Sequence, residues 1–258
     1  MIDVHSHVLY GIDDGAKSLE DSIGILEKAR KYGINKIFVT PHYIEESKYM
    51  CNNRGKKKIL NELQKKFPDI ELYMGNEIYI NNHIHEHIEK GEISPLGDSK
   101  YLLIELPIYN EFPGLEDYLF KLRTMGYKII IAHPERYNYF KEDFDKLLGL
   151  CKQGIYFQGN YMSLYDTYGK TTRKMFIKIL KHRCYTFMAS DVHRTEQKYY
   201  KKVKEAKDKI ISMTSKEYAE NIFDGNASKI MTGEEIEIRF KERLSLFDRI
   251  RGNWWERS

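Results

Sequence analysis

The chain has 258 residues, 41% of them hydrophobic, and a formal net charge of +4. That is enough apolar material for the core of one α/β barrel and argues against disorder, while the charge is too mild to imply a nucleic-acid partner. No apolar run reaches the ~18 residues of a transmembrane helix, and no basic segment followed by an apolar one opens the sequence as a leader would. Three scattered cysteines, Cys51, Cys151 and Cys184, point to reduced thiols in a cytoplasm, not to a disulfide framework.

Taken in order, the chain repeats one rhythm: a short β-branched or aromatic run, a loop, then an amphipathic segment. Strand-like runs fall at IDVHSH, KIFVTPH, ELYMGNEIY, YLLIELP, YKIIIAHP, IYFQGN and YTFMASDVH. Between the first two lies SLEDSIGILEKARKYG, with serine at the N-cap position, glutamate in the first turn and glycine at the end. GLEDYLFKLRTMG and FDKLLGLCKQG follow the same logic. Alternating strands and helices mean βα units and parallel pairing. Seven such runs predict a distorted seven-stranded barrel in a single domain spanning residues 1–258. The barrel itself is expected over about 1–230 and an amphipathic, basic C-terminal helix over about 233–258, its default role being to pack on the barrel.

The polar residues fall in a pattern. Each hydrophobic run comes first and a metal-ligand type stands at or just past its end. IDV leads to His5 and His7, IFVT to His42, LYMGN to Glu77, LLIE to Glu105, IIIA to His133, and FMAS to Asp191 and His193. The C-terminal rim of the strands is where barrel enzymes carry their chemistry. Asp3, Asp13 and Asp14 add carboxylates in the opening stretch. The candidate ligands are His5, His7, Asp14, His42, Glu77, Glu105, His133, Asp191 and His193, with Asp13 competing for the place of Asp14. Nine ligands at about three per catalytic ion suggest two or three ions, and mixed imidazole and carboxylate suits Mn, Fe or Zn. HIHEHIE, with His83, His85 and His87, follows no strand end and is read as a solvated helix face; His182 is read as a surface residue.

The ordered set H-S-H, G-I-D-D-G, T-P-H, G-N-E, E-L-P, A-H-P-E-R-Y and S-D-V-H resembles the polymerase and histidinol phosphatase superfamily. Within it, the set is most similar to the bacterial manganese-dependent protein-tyrosine phosphatases encoded with capsule and exopolysaccharide genes. The resemblance runs from residue 1 to about 230. It implies a trinuclear Mn2+ centre and, as substrate and partner, the phosphotyrosine of a cognate autophosphorylating tyrosine kinase. By position it implies His5, His7, Glu77 and Asp191 on one ion, Asp14, His42 and His193 on a second, and Glu77, Glu105 and His133 on the third. One departure is Ala227, where that family usually carries proline. Such a reaction needs a nucleophile at neutral pH and relief of developing negative charge, both of which bound cations supply. Arginine adds bidentate phosphate binding; Arg136, three residues past His133, is the first candidate and Arg194 the next.

Four other readings are weighed against it. One is an amidohydrolase, which also starts a barrel with H-x-H but commonly places a metal-bridging lysine on a middle strand, where this chain offers glutamates. Thiol chemistry needs arginine six residues after the cysteine, but Lys57, Phe157 and Ser190 stand there. A histidinol-phosphate phosphatase shares the general ligand pattern, while G-I-D-D-G and the E-R-Y after A-H-P favour the tyrosine phosphatases. A non-catalytic metal-bound module would have a degraded ligand set, and none of the nine positions is missing.

Overall fold

The computed structural model describes residues 1–196 and 198–245. In chain order the elements begin β1 (Ile2–Asp3), α1 (Leu19–Lys31), β2 (Lys36–Val39), β3 (His42–Tyr43), α2 (Asn53–Lys66), β4 (Glu71–Met74), β5 (Glu77–Tyr79), α3 (Ile84–Glu89) and β6 (Tyr101–Glu105). They continue α4 (Leu115–Thr124), β7 (Lys128–Ala132), α5 (Asn138–Glu142), α6 (Phe144–Lys152), β8 (Tyr156–Asn160), α7 (Lys170–Lys181) and β9 (Phe187–Ala189). The chain then turns helical through α8 (Tyr199–Met213), α9 (Lys216–Glu220) and α10 (Asn226–Thr232). The first helix starts where its sequence says: Ser18 and Asp21 form a reciprocal capping box, and Gly33 at φ 75° follows its end.

All strand pairing is parallel, but it does not close into the expected seven-stranded barrel. The strands divide into a sheet of order β1-β2-β4 and a sheet of order β3-β5-β6-β7-β8-β9. The division has a local cause. Val39 pairs with Met74 and His42 with Glu77 in the same register, so two neighbouring runs are broken at the same level, at Thr40-Pro41 and at Gly75-Asn76. Proline cannot donate to a ladder, and the Asn76 side chain takes over the join, donating to Pro41 O at 2.9 Å. Buried Lys56 donates to Asn76 Oδ1, as does the Ser94 amide. At the other opening the first and last runs meet through one isolated bridge, Ser6 to Val192. β1 and β9, two and three residues long, are too short to pair further.

Both faces of the strands are buried, as near-continuous apolar runs require. Ile37, Val39, Leu102, Ile104, Ile129, Ile131, Phe157 and Met188 pack with the helices in the larger core cluster. On the opposite face Phe38, Leu103, Tyr101, Ile130, Ala132, Tyr156, Phe187 and Ala189 form a second plug. Because strand side chains alternate, this inner face continues toward the strand ends as His42, Glu77, Glu105, Gln158, Asn160 and Asp191. Apolar packing fills its lower half and titratable groups its upper half.

The expected C-terminal helix is not formed over 234–245. Gly233, at φ 74°, ends α10, and the following residues run as non-helical chain. Burial explains why: Ile236 is 3% exposed, and the segment is anchored by backbone bonds unavailable to a helix. Tyr156 OH donates to Ile236 O at 3.1 Å, and the His182 ring to Lys241 O at 2.7 Å. His182 is therefore buried rather than superficial. The rest of that expected helix, 246–258, lies outside the described residues. Ala227, the departure in sequence, is buried inside α10, and the helix continues through it.

Candidate metal centre

The residues just past β1 are pinned on both sides. The Thr40 amide donates to Ser6 O at 2.8 Å, His7 N to Val192 O at 2.9 Å, and Asp191 N to His5 O at 3.0 Å. His5 and His7, on one side of this extended stretch, are fully buried. His133 follows β7 with φ 32° and Asp191 follows β9 with φ 53°. A left-handed backbone costs roughly 1–2 kcal/mol for a residue with a Cβ. Both residues carry that strain where their side chains enter the centre.

The first group joins His5, His7, Glu77 and Asp191. His5 Nε2 lies 3.0 Å from Glu77 Oε2, 3.4 Å from Asp191 Oδ1 and 3.1 Å from His7 Nε2. His7 Nε2 lies 3.3 and 3.4 Å from the same two oxygens. Ligands held at about 2.0–2.2 Å around a tetrahedral ion stand about 3.3–3.6 Å apart, and slightly closer in higher coordination, so the four atoms outline one shell. A second group is His7, Asp14, His42 and His193; Asp14 Oδ1 is 3.5 Å from both His42 Nε2 and His193 Nε2. A third is His42, Glu77 and Glu105, with His42 Nδ1 3.1 Å from Glu77 Oε2 and 3.7 Å from Glu105 Oε2. His133 Nε2 borders it, 2.8 Å from Glu77 Oε1 and 3.7 Å from Glu105 Oε1.

All nine expected ligands therefore converge, although two connections differ from those the resemblance implies. His42 faces two groups through its two ring nitrogens, and His7 borders two groups instead of one. Between Asp13 and Asp14 the geometry separates the roles. Asp14 faces His42 and His193, whereas Asp13 Oδ2 accepts from His7 Nδ1 at 2.7 Å and from the His42 amide at 2.9 Å. Asp3 stays outside the groups, accepting from the Ser190 amide at 3.0 Å and from Tyr200 OH at 2.9 Å.

Whether these residues suit cations is tested by the buried atoms left without a partner. Among the described residues, Glu77 Oε2, His42 Nδ1 and Asp14 Oδ1 are buried and make no hydrogen bond. Glu77 Oε2 instead faces three imidazole nitrogens within 3.3 Å. A buried carboxylate oxygen without a donor is costly unless a cation meets it. Burial alone would lower His5, yet the Glu77 and Asp191 carboxylates hold it up to about 9. Burial and the charge of Glu77 push Glu105 up to about 8. Protons thus stand where cations would, and metal binding displaces them. The donor set fits.

Several residues that serve the centre were not singled out from sequence. His5 Nδ1 donates to Gln158 Oε1 at 2.7 Å, Gln158 Nε2 to Asn160 Oδ1 at 2.8 Å, and Asn160 Nδ2 to Asp191 Oδ2 at 2.7 Å. This relay fixes His5 with Nε2 turned inward. Its signal was present in IYFQGN, where polar residues at i and i+2 end a strand otherwise built for a core. Arg136, on the 3-10 turn Pro134–Arg136, sits with Nη1 3.8 Å from Asp191 Oδ2 and its guanidinium 5.2 Å from the Tyr168 ring centre. Its side chain is 26% exposed, so it reaches the centre from the solvent side. Arg194 is exposed one residue past His193. Cys151 and Cys184 are buried, Cys51 is partly exposed, and none belongs to these groups.

Comparison with known proteins agrees with this geometry. CapC of Staphylococcus aureus is 39% identical over 199 residues, 75% of this chain and 77% of CapC. The tyrosine-protein phosphatase YwqE of Bacillus subtilis (strain 168) is 32% identical over 205 residues, 78% of this chain and 80% of YwqE. A crystal structure from work on YwqE of Bacillus subtilis and CpsB of Streptococcus pneumoniae, described as unique metal-dependent tyrosine phosphatases, matches with a TM-score of 0.84 at 27% identity. It covers 95% of this chain and 100% of that one. The histidinol phosphate phosphatase of Lactococcus lactis matches in fold alone, with a TM-score of 0.55 at 17% identity, over 81% of this chain and 93% of that one. The family model described as capsular polysaccharide synthesis, CpsB/CapC, matches residues 1–232, and with that extent of agreement the chain belongs to the CpsB/CapC family.

Proposed function

We infer that this protein is a metal-dependent protein-tyrosine phosphatase, acting on the phosphotyrosine of a bacterial tyrosine autokinase and so regulating capsular or exopolysaccharide synthesis from the cytoplasm. The observation that carries the reading is the convergence of His5, His7, Asp14, His42, Glu77, Glu105, His133, Asp191 and His193 around buried, unpartnered acceptor atoms in a member of this family. His5, His7, Glu77 and Asp191 would hold one ion. Asp14, His42 and His193 would hold a second, with His7 beside it. Glu77 and Glu105 would hold a third, with His42 and His133 on either side. Imidazole mixed with carboxylate favours Mn2+, with Fe or Zn as substitutes.

When bound, the ions supply an activated water at neutral pH and neutralise charge on the phosphate. The chain's own residues do the rest. Gln158 and Asp13 each accept a hydrogen bond from the outer nitrogen of a histidine and so aim His5 and His7 inward. Asn160 fixes Asp191. Arg136 carries a planar, permanently charged fork that matches phosphate oxygens, held over Tyr168 at the edge of the centre. No thiol takes part.

The test is turnover of a phosphotyrosine peptide and of histidinol phosphate side by side, before and after strong chelation and after restoring single metals. Preference for the peptide, loss on chelation and best recovery with Mn2+ are expected. Full turnover by a metal-free sample, or preference for histidinol phosphate, refutes the assignment.

A further inference from the structure

A second cluster of metal-binding side chains lies apart from the residues used above. Glu45, in the segment after β3, and His83 and His87, at the start and within α3, bring three ligand atoms together. Glu45 Oε1 lies 2.8 Å from His83 Nδ1 and 2.8 Å from His87 Nε2. The two histidines are four residues apart, so successive turns place them on one side of the helix. Only part of this stretch is the solvated face its sequence suggests: the His83 and His85 side chains are 53% and 37% exposed, whereas His87 is buried.

The far side of His87 decides the chemistry. His87 Nδ1 lies 2.6 Å from Glu92 Oε2, and that same oxygen accepts from Tyr43 OH at 2.8 Å. Glu92 is therefore an ionised acceptor, and Nδ1 carries the proton. A neutral ring then presents a bare Nε2 lone pair to the Glu45 carboxylate at 2.8 Å, which is repulsive. At 2.8 Å a second proton on the ring resolves it; a cation taking that proton's place would draw the two atoms out toward the roughly 3.3–3.6 Å of a metal shell. A carboxylate that orients a histidine by its outer N–H is the arrangement that accompanies histidine ligands of bound metals. Two histidines and one glutamate, with one position open to water, are a zinc-type ligand set.

We propose that Glu45, His83 and His87 form a peripheral binding site for a borderline divalent cation such as Zn2+, oriented by Glu92 and Tyr43 and distinct from the main centre. The site joins the segment leaving β3 to α3, across 42 residues of chain. Tyr43 and His42 are neighbours on β3 and point to opposite faces, so the strand that sends His42 into the main centre is the one the peripheral ion would steady.

The experiment counts zinc per chain by native mass spectrometry after equilibration of the full-length protein with Zn2+. Wild type is compared with His83→Ala, Glu45→Gln and, as a control outside the cluster, His85→Ala. The first two change partly exposed side chains, so folding is expected to survive, and circular dichroism verifies it. The expected result is one zinc fewer in His83→Ala and in Glu45→Gln, no change in His85→Ala, and unchanged phosphotyrosine turnover with saturating Mn2+ in all three. The same zinc count in wild type, His83→Ala and Glu45→Gln overturns the proposal and assigns the cluster to a protonated ion-pair network. The count is read independently of turnover, so it stands or falls separately from the phosphatase reading.

Discussion

Replacing Arg136 with alanine separates phosphate binding from metal binding. The guanidinium is 3.8 Å from Asp191 Oδ2 and lies over Tyr168, with about a quarter of its side chain open to solvent. It is held in place yet free to meet a substrate oxygen. A preorganised charged donor acting on a group that gains charge in the transition state is worth about 2–4 kcal/mol. At about 1.36 kcal/mol per tenfold, that is a loss of roughly 30- to 900-fold in turnover. The metal should stay, because Asp191 keeps its bond from Asn160 Nδ2 at 2.7 Å and Arg136 is not a ligand. His133→Ala should behave differently and lower both metal content and rate. Arg136→Lys should recover only part of the loss, since an ammonium keeps the charge but not the fork. The assay is steady-state turnover of a phosphotyrosine peptide beside metal analysis of the same samples. If Arg136→Ala turns over within about three-fold of wild type, or loses metal along with rate, the reasoning fails; in the first case the exposed Arg194 becomes the candidate for the role.

In Asp13→Asn the single amide oxygen can take the Oδ2 position and accept from the His42 amide, while the Gly15 amide, which donates to Oδ1, loses its acceptor; the fold, checked by circular dichroism, should survive the loss of that one bond. The substitution should weaken metal retention about 10- to 100-fold by removing the charge that orients His7; metal competition with a chelator measures it. Burial pushes the amine of Lys56 down to about 7 from its usual 10.5, so the unfolded chain binds the extra proton between those values. Stability should therefore rise with pH from about 7 to about 10.5 and be flat below. Urea unfolding of Lys56→Met at pH 7 and pH 9 should show a smaller rise than wild type, and equal rises would refute the assignment. Replacing Cys51, Cys151 and Cys184 with alanine should leave turnover within about three-fold; a loss near 100-fold in a folded variant would require thiol chemistry.

The histidines and carboxylates that converge at the strand ends were legible in the sequence, for a physical reason. Parallel strands buried on both faces must be apolar until they end, so a histidine or carboxylate at each end stands out against the run before it. His42, Glu77, Glu105 and Asp191 were visible in this way. The capping box of Ser18 and Asp21 was readable because it is purely local. The connections were not. That His42 offers one nitrogen to Asp14 and the other to Glu77, or that Asp13 supports His7 while its neighbour Asp14 faces the centre, depends on how separate strand ends approach one another in space. Closure was not legible either. Seven runs are compatible with a ring, but β1 and β9 are too short to form a ladder, and the residues beyond them join through the single bridge of Ser6 to Val192. The amphipathic pattern after Gly233 suggests a helix, yet burial of Ile236 and the bonds to Tyr156 and His182 hold residues 234–245 non-helical. Likewise His87 in HIHEHIE looks solvated until Glu45, far from it along the chain, and Glu92, across a turn, are seen to face it. Local periodicity and end-of-strand chemistry belong to the sequence; which nitrogen meets which oxygen belongs to the packing of distant segments.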